Sequence, residues 1–301
     1  MNGPETNVKS SHNASEGFGR TKPNQASYRV AAVQMASGPH TASNLLEAAR
    51  LIKMASEQGA SVIALPEFFS LMGLRDYDKV KQAEMYGQGP VQDFLSRTAK
   101  SLGVWLVGGS IPLKSNDPNR CRNACLVFDD SGECVARYDK MHLFGFQDDG
   151  ESYQEANVIE PGNQSVQVVT PFGRFGLAIC YDLRFPELFR FWSDVDVIFV
   201  PSAFTATTGQ AHWEVLLRAR AIENLAYVVA PAQGGYHMNG RETHGHSMIV
   251  NPWGVIMDSL SRGSGVVFAD INPMMQKQWR ISLPALKHKR SELFPVSQKI
   301  E

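Results

Sequence analysis

Apolar residues along the chain fall into two alternating patterns. Short continuous runs bounded by turn residues, such as Tyr28 to Met35, Val62 to Leu65 and Val104 to Gly108, read as buried β-strands. Between them the apolar positions recur at helical spacing. The clearest case predicts a helix over Ser43 to Gln58: Leu45, Ala48, Ala49, Ile52 and Ala55 share one face, Ser43 or Asn44 caps the start, and Gly59 closes the end. A second helix, Val91 to Leu102, stops at Gly103, so the N-terminal part reads β-α-β-α-β.

The middle of the chain changes character. Asn123 to Phe128 and Cys134 to Tyr138 flank Asp129-Asp130-Ser131-Gly132, a hairpin signal, and Val166 to Val169 leads through Pro171-Phe172-Gly173 into a strand over Phe175 to Ile179. Helix, strand and helix then recur as Phe185 to Trp192, Val195 to Val200 and Ala211 to Asn224. Strands follow at Tyr227 to Ala230, His246 to Val250, Val255 to Asp258 and Gly265 to Ile271. The two β-α-β stretches match in layout only, with no residue-level repeat. Two mixed sheets packed face to face, with helices on each outer face, explain why nearly every strand is a continuous apolar run; the expected fold is a four-layer α-β-β-α sandwich.

Composition narrows the class. A chain of 301 residues with 43% apolar content can bury one large core, so residues 28–294 are expected to form a single domain, with 1–27 a disordered tail and 295–301 a C-terminal tail. The tail lacks the apolar run of a signal peptide and the Arg-rich face of a transit peptide. A formal net charge of -1 with interleaved signs points away from nucleic acid and anionic membranes and toward a small-molecule partner. No segment offers the roughly 20 apolar residues of a membrane span. Four cysteines, at 121, 125, 134 and 180, make no disulfide framework and suit a reducing compartment, so a cytoplasmic location is expected.

Three segments carry chemistry. Cys180 sits where an apolar strand runs into Tyr181-Asp182-Leu183-Arg184-Phe185-Pro186-Glu187, a corner at which a thiol projects from a sheet edge and backbone N–H groups at a helix start face a developing oxyanion. Glu67 closes the strand Val62-Ile63-Ala64-Leu65 after Pro66, at the carboxyl end of a strand, where α/β sheets hold ligands. Lys140 stands among aromatic and apolar neighbours in Tyr138-Asp139-Lys140-Met141-His142-Leu143-Phe144. Read alone, each has a plain structural counterpart: an apolar filler, an ion-paired carboxylate, a solvated loop lysine. A Cys-His pair using His212 or His246 as base also stays open. A zinc site from His244, His246, Cys121 and Cys125 lacks tight ligand spacing, and neither a serine-hydrolase elbow nor a phosphate-cradling glycine loop is present, so no metal or cofactor is expected.

Taken together, LPEFF, YDKMHLF and CYDLRFPE, in that order, resemble the nitrilase superfamily of carbon-nitrogen hydrolases. The likeness extends over Tyr28 to Phe294 and includes Pro201-Ser202-Ala203-Phe204, His212-Trp213-Glu214, Arg218 to Asn224 and Gly245-His246-Ser247-Met248, which look most like the Nit branch of amidases acting on deaminated glutathione. The resemblance implies an α-β-β-α sandwich and a Glu-Lys-Cys triad: Glu67 as general base, Lys140 as the cation facing the tetrahedral intermediate, Cys180 as nucleophile. It further implies oxyanion contact from the Tyr181 backbone N–H, and Glu155 as a second, positioning glutamate ahead of Pro161-Gly162, with Glu151 read instead as a solvated loop charge. The implied reaction turns an amide into acid plus ammonia through a cysteine thioester. Deaminated glutathione is the first substrate, a ketoacid monoamide (omega-amidase) the alternative, and a non-catalytic interaction protein the reading of another class.

Arg184 is a candidate for a substrate carboxylate, against an ion pair with Glu187 three residues on. Thr207 and Thr208 either line the site or cap the helix near Ala211. The resemblance also implies a homodimer.

Overall fold

A computed structural model describes residues 26–148, 151–192 and 194–290. Strand β1 (Tyr28–Gln34), helix α1 (Thr41–Glu57), strand β2 (Ala60–Ala64), helices α2 (Asp78–Lys81) and α3 (Pro90–Leu102) and strand β3 (Trp105–Val107) come first. Strands β4 (Ile111–Lys114), β5 (Cys121–Phe128), β6 (Cys134–Asp139), β7 (Gly145–Asp148), β8 (Glu151–Gln154), β9 (Val166–Thr170) and β10 (Gly173–Leu177) follow. Helix α4 (Pro186–Phe191), strand β11 (Val197–Phe199), helix α5 (Ala206–Asn224) and strands β12 (Tyr227–Ala230), β13 (Gly234–Tyr236), β14 (Glu242–His244), β15 (Ser247–Val250), β16 (Ile256–Leu260) and β17 (Gly265–Ile271) lead to helix α6 (Pro273–Ser282).

Two mixed sheets form the centre. One runs β17-β1-β2-β3-β5-β4 with β6 paired to β5, the other β16-β15-β12-β11-β10-β9. In each, three neighbouring strands are parallel, β1, β2 and β3 in the first and β10, β11 and β12 in the second, and the remaining pairs are antiparallel. Parallel neighbours need crossovers, and α1, α3, α4 and α5 lie between them in sequence. Alternation along β1 shows the layering: Val30 and Ala32 belong to the core shared with the second sheet, whose Leu177, Phe199 and Val229 lie on one face, whereas Ala31 and Val33 belong to the core shared with Ala48, Leu51 and Ile52 of α1. The expected four-layer sandwich is the fold.

Several boundaries differ from expectation for local reasons. Helix α1 starts at Thr41 after His40, and Asn44, expected to cap it, lies inside, its Nδ2 donating to the Gly38 and Ser70 carbonyls at 2.8 and 2.9 Å. Gly59 (φ 84°) and Gly103 (φ 62°) end α1 and α3 in the left-handed conformation, as the pattern required. Strand β4, which the apolar pattern did not announce, contains Pro112 and sits at the sheet edge, where a missing N–H is tolerated. Helix α5 begins five residues early because Thr205 caps it, its hydroxyl accepting from the Thr208 N–H; Thr207 and Thr208 are inside the helix. Helix α6, also unanticipated, carries the matching signal of Asn272 at the cap and Pro273 at the first turn. The expected tails lie outside the described residues apart from Ala26 and Ser27, as do residues 291–294 of the expected domain.

Candidate active site

Three chain segments leave the sheets at one end and converge. Glu67 follows β2, Lys140 follows β6, and Cys180 follows β10, so all three stand beyond the carboxyl ends of their strands, where α/β sheets open crevices. Each exit is held by the backbone. The Cys180 N–H donates to the Pro201 carbonyl at 2.9 Å and the residue takes φ 49°, a conformation an L-residue keeps only when its surroundings enforce it. The Lys140 N–H donates to the Asn123 carbonyl at 2.9 Å, and the Lys140 carbonyl accepts from the Gly162 N–H at 2.8 Å. Position 162 has to be glycine: a Cβ there would lie 2.1 Å from the Asp139 carbonyl oxygen. The Pro161-Gly162 pair thus lets one loop lie against the backbone that presents Lys140.

The Lys140 ammonium donates to Glu67 Oε1 at 2.9 Å and to Glu155 Oε2 at 2.8 Å, with its side chain wholly buried. Glu67 is buried as well, and its Oε1 also accepts from Asn123 Nδ2 at 2.9 Å. Glu155 opens a short 3-10 turn and its Oε2 accepts a second bond, from the Phe144 N–H at 2.8 Å. The Cys180 thiol is buried in the same cleft as Glu67, Glu155 and Ala203, close enough for the charges of Glu67, Lys140 and Glu155 to act on it. Glu67, Lys140, Glu155 and Cys180 are therefore one cluster.

Electrostatics inside it follow from burial and mutual charge. Burial raises the Glu67 pKa above the usual glutamate value, Lys140 opposes that rise and Glu155 reinforces it. Burial, then the charge of Glu67, push the Cys180 thiol well up, with Lys140 pulling the other way; the resting group is a thiol. For Lys140, burial is the largest single influence and favours the neutral amine, but Glu155, Glu67 and Cys180 together outweigh it and hold the ammonium. The cluster is a buried cation between two carboxyl groups, beside a protonated sulfur.

Cys180 lies where two arms of a cleft meet. The larger, about 560 Å³ counting space open to solvent, is lined by Glu67, Glu155, Asp76, Lys79 and Arg241. The smaller, about 210 Å³, is walled by Phe144, Tyr181, Arg184, Phe204 and Thr208. Tyr181 enters the 3-10 turn directly after Cys180, its ring packing edge-on against Phe144 and Phe185. Among the described residues no ion pair joins Arg184 to Glu187: the guanidinium lies over the Tyr181 and Phe204 rings, with Nη1 3.2 Å from His212 Nδ1. His246 stacks on His244, so a carboxylate and an ammonium, not an imidazole, flank the thiol. Glu151 opens β8, and its side chain lies outside what is described. Among the described residues no three His, Cys, Asp or Glu are grouped to hold a metal ion, and no helix is long and apolar enough to cross a membrane.

Two residues of the site carry no signal strong enough to single them out in the chain. Asn123, legible only as the start of a strand, is a donor to Glu67. Asp182, legible as part of a turn, is fully buried and accepts four hydrogen bonds: from Tyr138 Oη (2.7 Å) and Ile179 N (2.8 Å) on Oδ2, and from His142 N (3.0 Å) and His142 Nδ1 (2.8 Å) on Oδ1. Its one available signal is a carboxylate between Tyr181 and Leu183 in an otherwise apolar stretch, a residue type seldom buried without several partners.

The carbon-nitrogen hydrolase family matches residues 29–281. A deaminated glutathione amidase of Synechocystis sp. is 42% identical over 268 residues, 87% of this chain and 98% of that protein. Human omega-amidase NIT2 is 34% identical over 276 residues, 91% of this chain and 99% of its own. The crystal structure of Saccharomyces cerevisiae Nit3, a member of branch 10 of the nitrilase superfamily, superposes with a TM-score of 0.80 at 29% identity, covering 88% of this chain and 97% of that one. With its sandwich, and its match running from β1 into α6, the chain belongs to the carbon-nitrogen hydrolase family.

Proposed function

We propose that this hydrolase is a cysteine amidase acting on a small carboxylate-bearing amide, with Cys180 as nucleophile, Glu67 as general base and acid, and Lys140 with the Tyr181 backbone N–H as oxyanion partners. One observation carries the reading: a single buried ammonium lies 2.9 Å from Glu67 and 2.8 Å from Glu155, and a buried thiol shares the cleft with both glutamates. The thiol is held protonated, so its proton passes to Glu67 as sulfur bonds to the carbonyl carbon; base assistance of this kind contributes roughly 10²–10⁴ in rate. The oxyanion forms against Lys140. Collapse breaks the C–N bond, Glu67 returns the proton to the departing nitrogen, and a thioester remains. Glu67 then takes a proton from water as its oxygen adds to the thioester carbon, and the sulfur leaves and regains a proton as the acid departs. Glu155 positions the ammonium throughout.

Deaminated glutathione is the first substrate, supported by the 42% identical relative of that name, and omega-amidase chemistry on a ketoacid monoamide is the second, supported by the human relative. The expected release of ammonia holds for the monoamide alone: the amide nitrogen of the deaminated tripeptide belongs to a dipeptide, so there a dipeptide amine leaves in place of ammonia. In both, Arg184 at the short arm pairs with the carboxylate of the acyl group. A non-catalytic scaffold gives no reason to bury a lysine between two glutamates, a costly arrangement. The protein works as a homodimer in the cytoplasm, a setting that suits its four free cysteines.

Mass spectrometry after brief exposure to substrate tests the assignment. The acyl adduct is expected on Cys180, and an adduct that persists in Cys180→Ala refutes it. Parallel assays of amine release from the tripeptide and of ammonia release from a monoamide rank the substrates; equal rates overturn the ranking.

A further inference from the structure

The long arm of the cleft ends in an unequal set of charges. Asp76 is shared by two cations: its Oδ1 lies 3.1 Å from Arg241 Nη2 and 3.4 Å from Lys79 Nζ. Glu242, on the same wall, is taken up by Arg262 at 2.7 Å. Within this group one carboxylate therefore faces two cations, a local excess of one positive charge, while beside Cys180 the Lys140 ammonium is held between Glu67 and Glu155. The cations are also held in place. Lys79 is 4% exposed and sits over the Phe68 ring, and Arg241 lies over the Tyr153 ring at 4.8 Å. The turn between β13 and β14 that carries Arg241 is fastened to the opposite loop by Asn239 Nδ2, which donates to the Gly73 carbonyl at 2.8 Å.

Cys180 lines both arms, the one that holds Arg241 and Lys79 and the one that holds Arg184, so each arm open to a substrate at the sulfur carries a cation. The geometry points to a substrate with an anion on both sides of the scissile amide, and to Arg241, backed by Lys79, as the specificity residue for a carboxylate on the leaving amine. The inference rests on the amidase reading above and deepens it. The short arm, with Arg184 on the same turn as Cys180, suits a compact acyl group; the longer arm suits a leaving group the size of a dipeptide ending in a carboxylate. A monoamide leaves that arm empty. Discrimination of this kind acts through binding of the whole substrate and is read in kcat/KM.

The test is a cycle between one charge on the enzyme and one on the substrate. Deaminated glutathione and its C-terminally amidated analogue are compared on wild type, Arg241→Gln and Arg241→Lys, with a ketoacid monoamide as third substrate. Amidation is expected to lower wild-type kcat/KM about tenfold, mainly through KM, and to cost Arg241→Gln less than about twofold. Arg241→Lys falls between, and Arg241→Gln lowers the tripeptide-to-monoamide ratio of kcat/KM about tenfold. Equal losses on amidation for wild type and Arg241→Gln, or no loss for wild type, overturn the inference while leaving the amidase reading standing. No turnover of either amide by wild type overturns both. The amidation arm needs no variant, so it decides whether the leaving group's carboxylate is read even if Arg241→Gln misfolds, and Arg241→Lys then carries the assignment to the residue: an amidation loss in Arg241→Lys equal to that of wild type overturns it.

Discussion

The Tyr138 hydroxyl donates to Asp182 Oδ2 at 2.7 Å, and through this bond a residue two before Lys140 holds a residue two after Cys180. The other oxygen of Asp182 binds the His142 N–H and ring, and the His142 ring stacks on Phe185 at 3.8 Å. The cation and the sulfur are thus placed relative to each other by a buried carboxylate that takes no part in the chemistry. Removing it leaves several buried donors without a partner. Asp182→Ala is expected to lower stability by about 3 kcal/mol or more and to reduce kcat even where the protein is folded. Tyr138→Phe, which removes one donor of four, is expected to cost about 1–2 kcal/mol. Denaturant melts with activity assays check both; an Asp182→Ala protein of wild-type stability would contradict this role.

The pH profile reports on Glu67. Because burial raises its pKa, the acid limb of kcat/KM is expected above the usual glutamate value of 4.5. The charge of Glu155 contributes to that rise, so Glu155→Gln is expected to move the limb to lower pH while reducing kcat through a less firmly held Lys140. Both effects are visible in one titration of rate against pH.

Asn123 predicts the opposite displacement. Its Nδ2 donates to the charged form of Glu67, which lowers the carboxylate pKa, and Asn123→Ala removes that donor. The acid limb is then expected to move to higher pH, with kcat/KM reduced about tenfold, the loss of one hydrogen bond to a charged group. Shifts of Glu155→Gln and Asn123→Ala in the same direction would contradict the assignment of the limb to Glu67.

Gly162 offers a test by volume. A methyl at this position meets the Asp139 carbonyl oxygen, so Gly162→Ala has to push apart the two backbones that present Lys140. A loss of about 2 kcal/mol in stability, with a fall in kcat larger than that in binding, is expected from calorimetry and steady-state kinetics.

The proposed homodimer has a physical correlate on α5, where Val215 and Ile222 are 62% and 47% exposed and Ile222 packs against Gly254 beside exposed Trp253. Gel filtration with light scattering at micromolar concentration is expected to give twice the chain mass, and Val215→Glu with Ile222→Glu to give the monomer. A wild-type monomer would end this proposal.

Much of the fold is legible in the chain because its signals are local. The hairpin turn at Asp129 to Gly132, the helix ends at Gly59 and Gly103 and the apolar runs of the parallel strands all depend on neighbours a few residues away. Glu67, Lys140 and Cys180 are recognisable for a related reason: each lies inside a short motif at a strand exit. What the chain conceals are pairings between distant segments. Asn123 with Glu67 spans 56 positions, Tyr138 with Asp182 spans 44, and Arg241 with Asp76 spans 165, and none of these residues carries a periodicity that announces its partner. Arg184 makes the same point in reverse, since its obvious local partner Glu187 loses to His212 and two aromatic rings. The amino-acid sequence by itself determined most strands of the two large sheets and which side chains could react, but not edge strand β4 or the short hairpins β7-β8 and β13-β14. Tertiary structure alone decided what each charge faces, because a buried charge takes its partner from whatever the packed sheets bring within about 3 Å, and chain order does not encode that proximity.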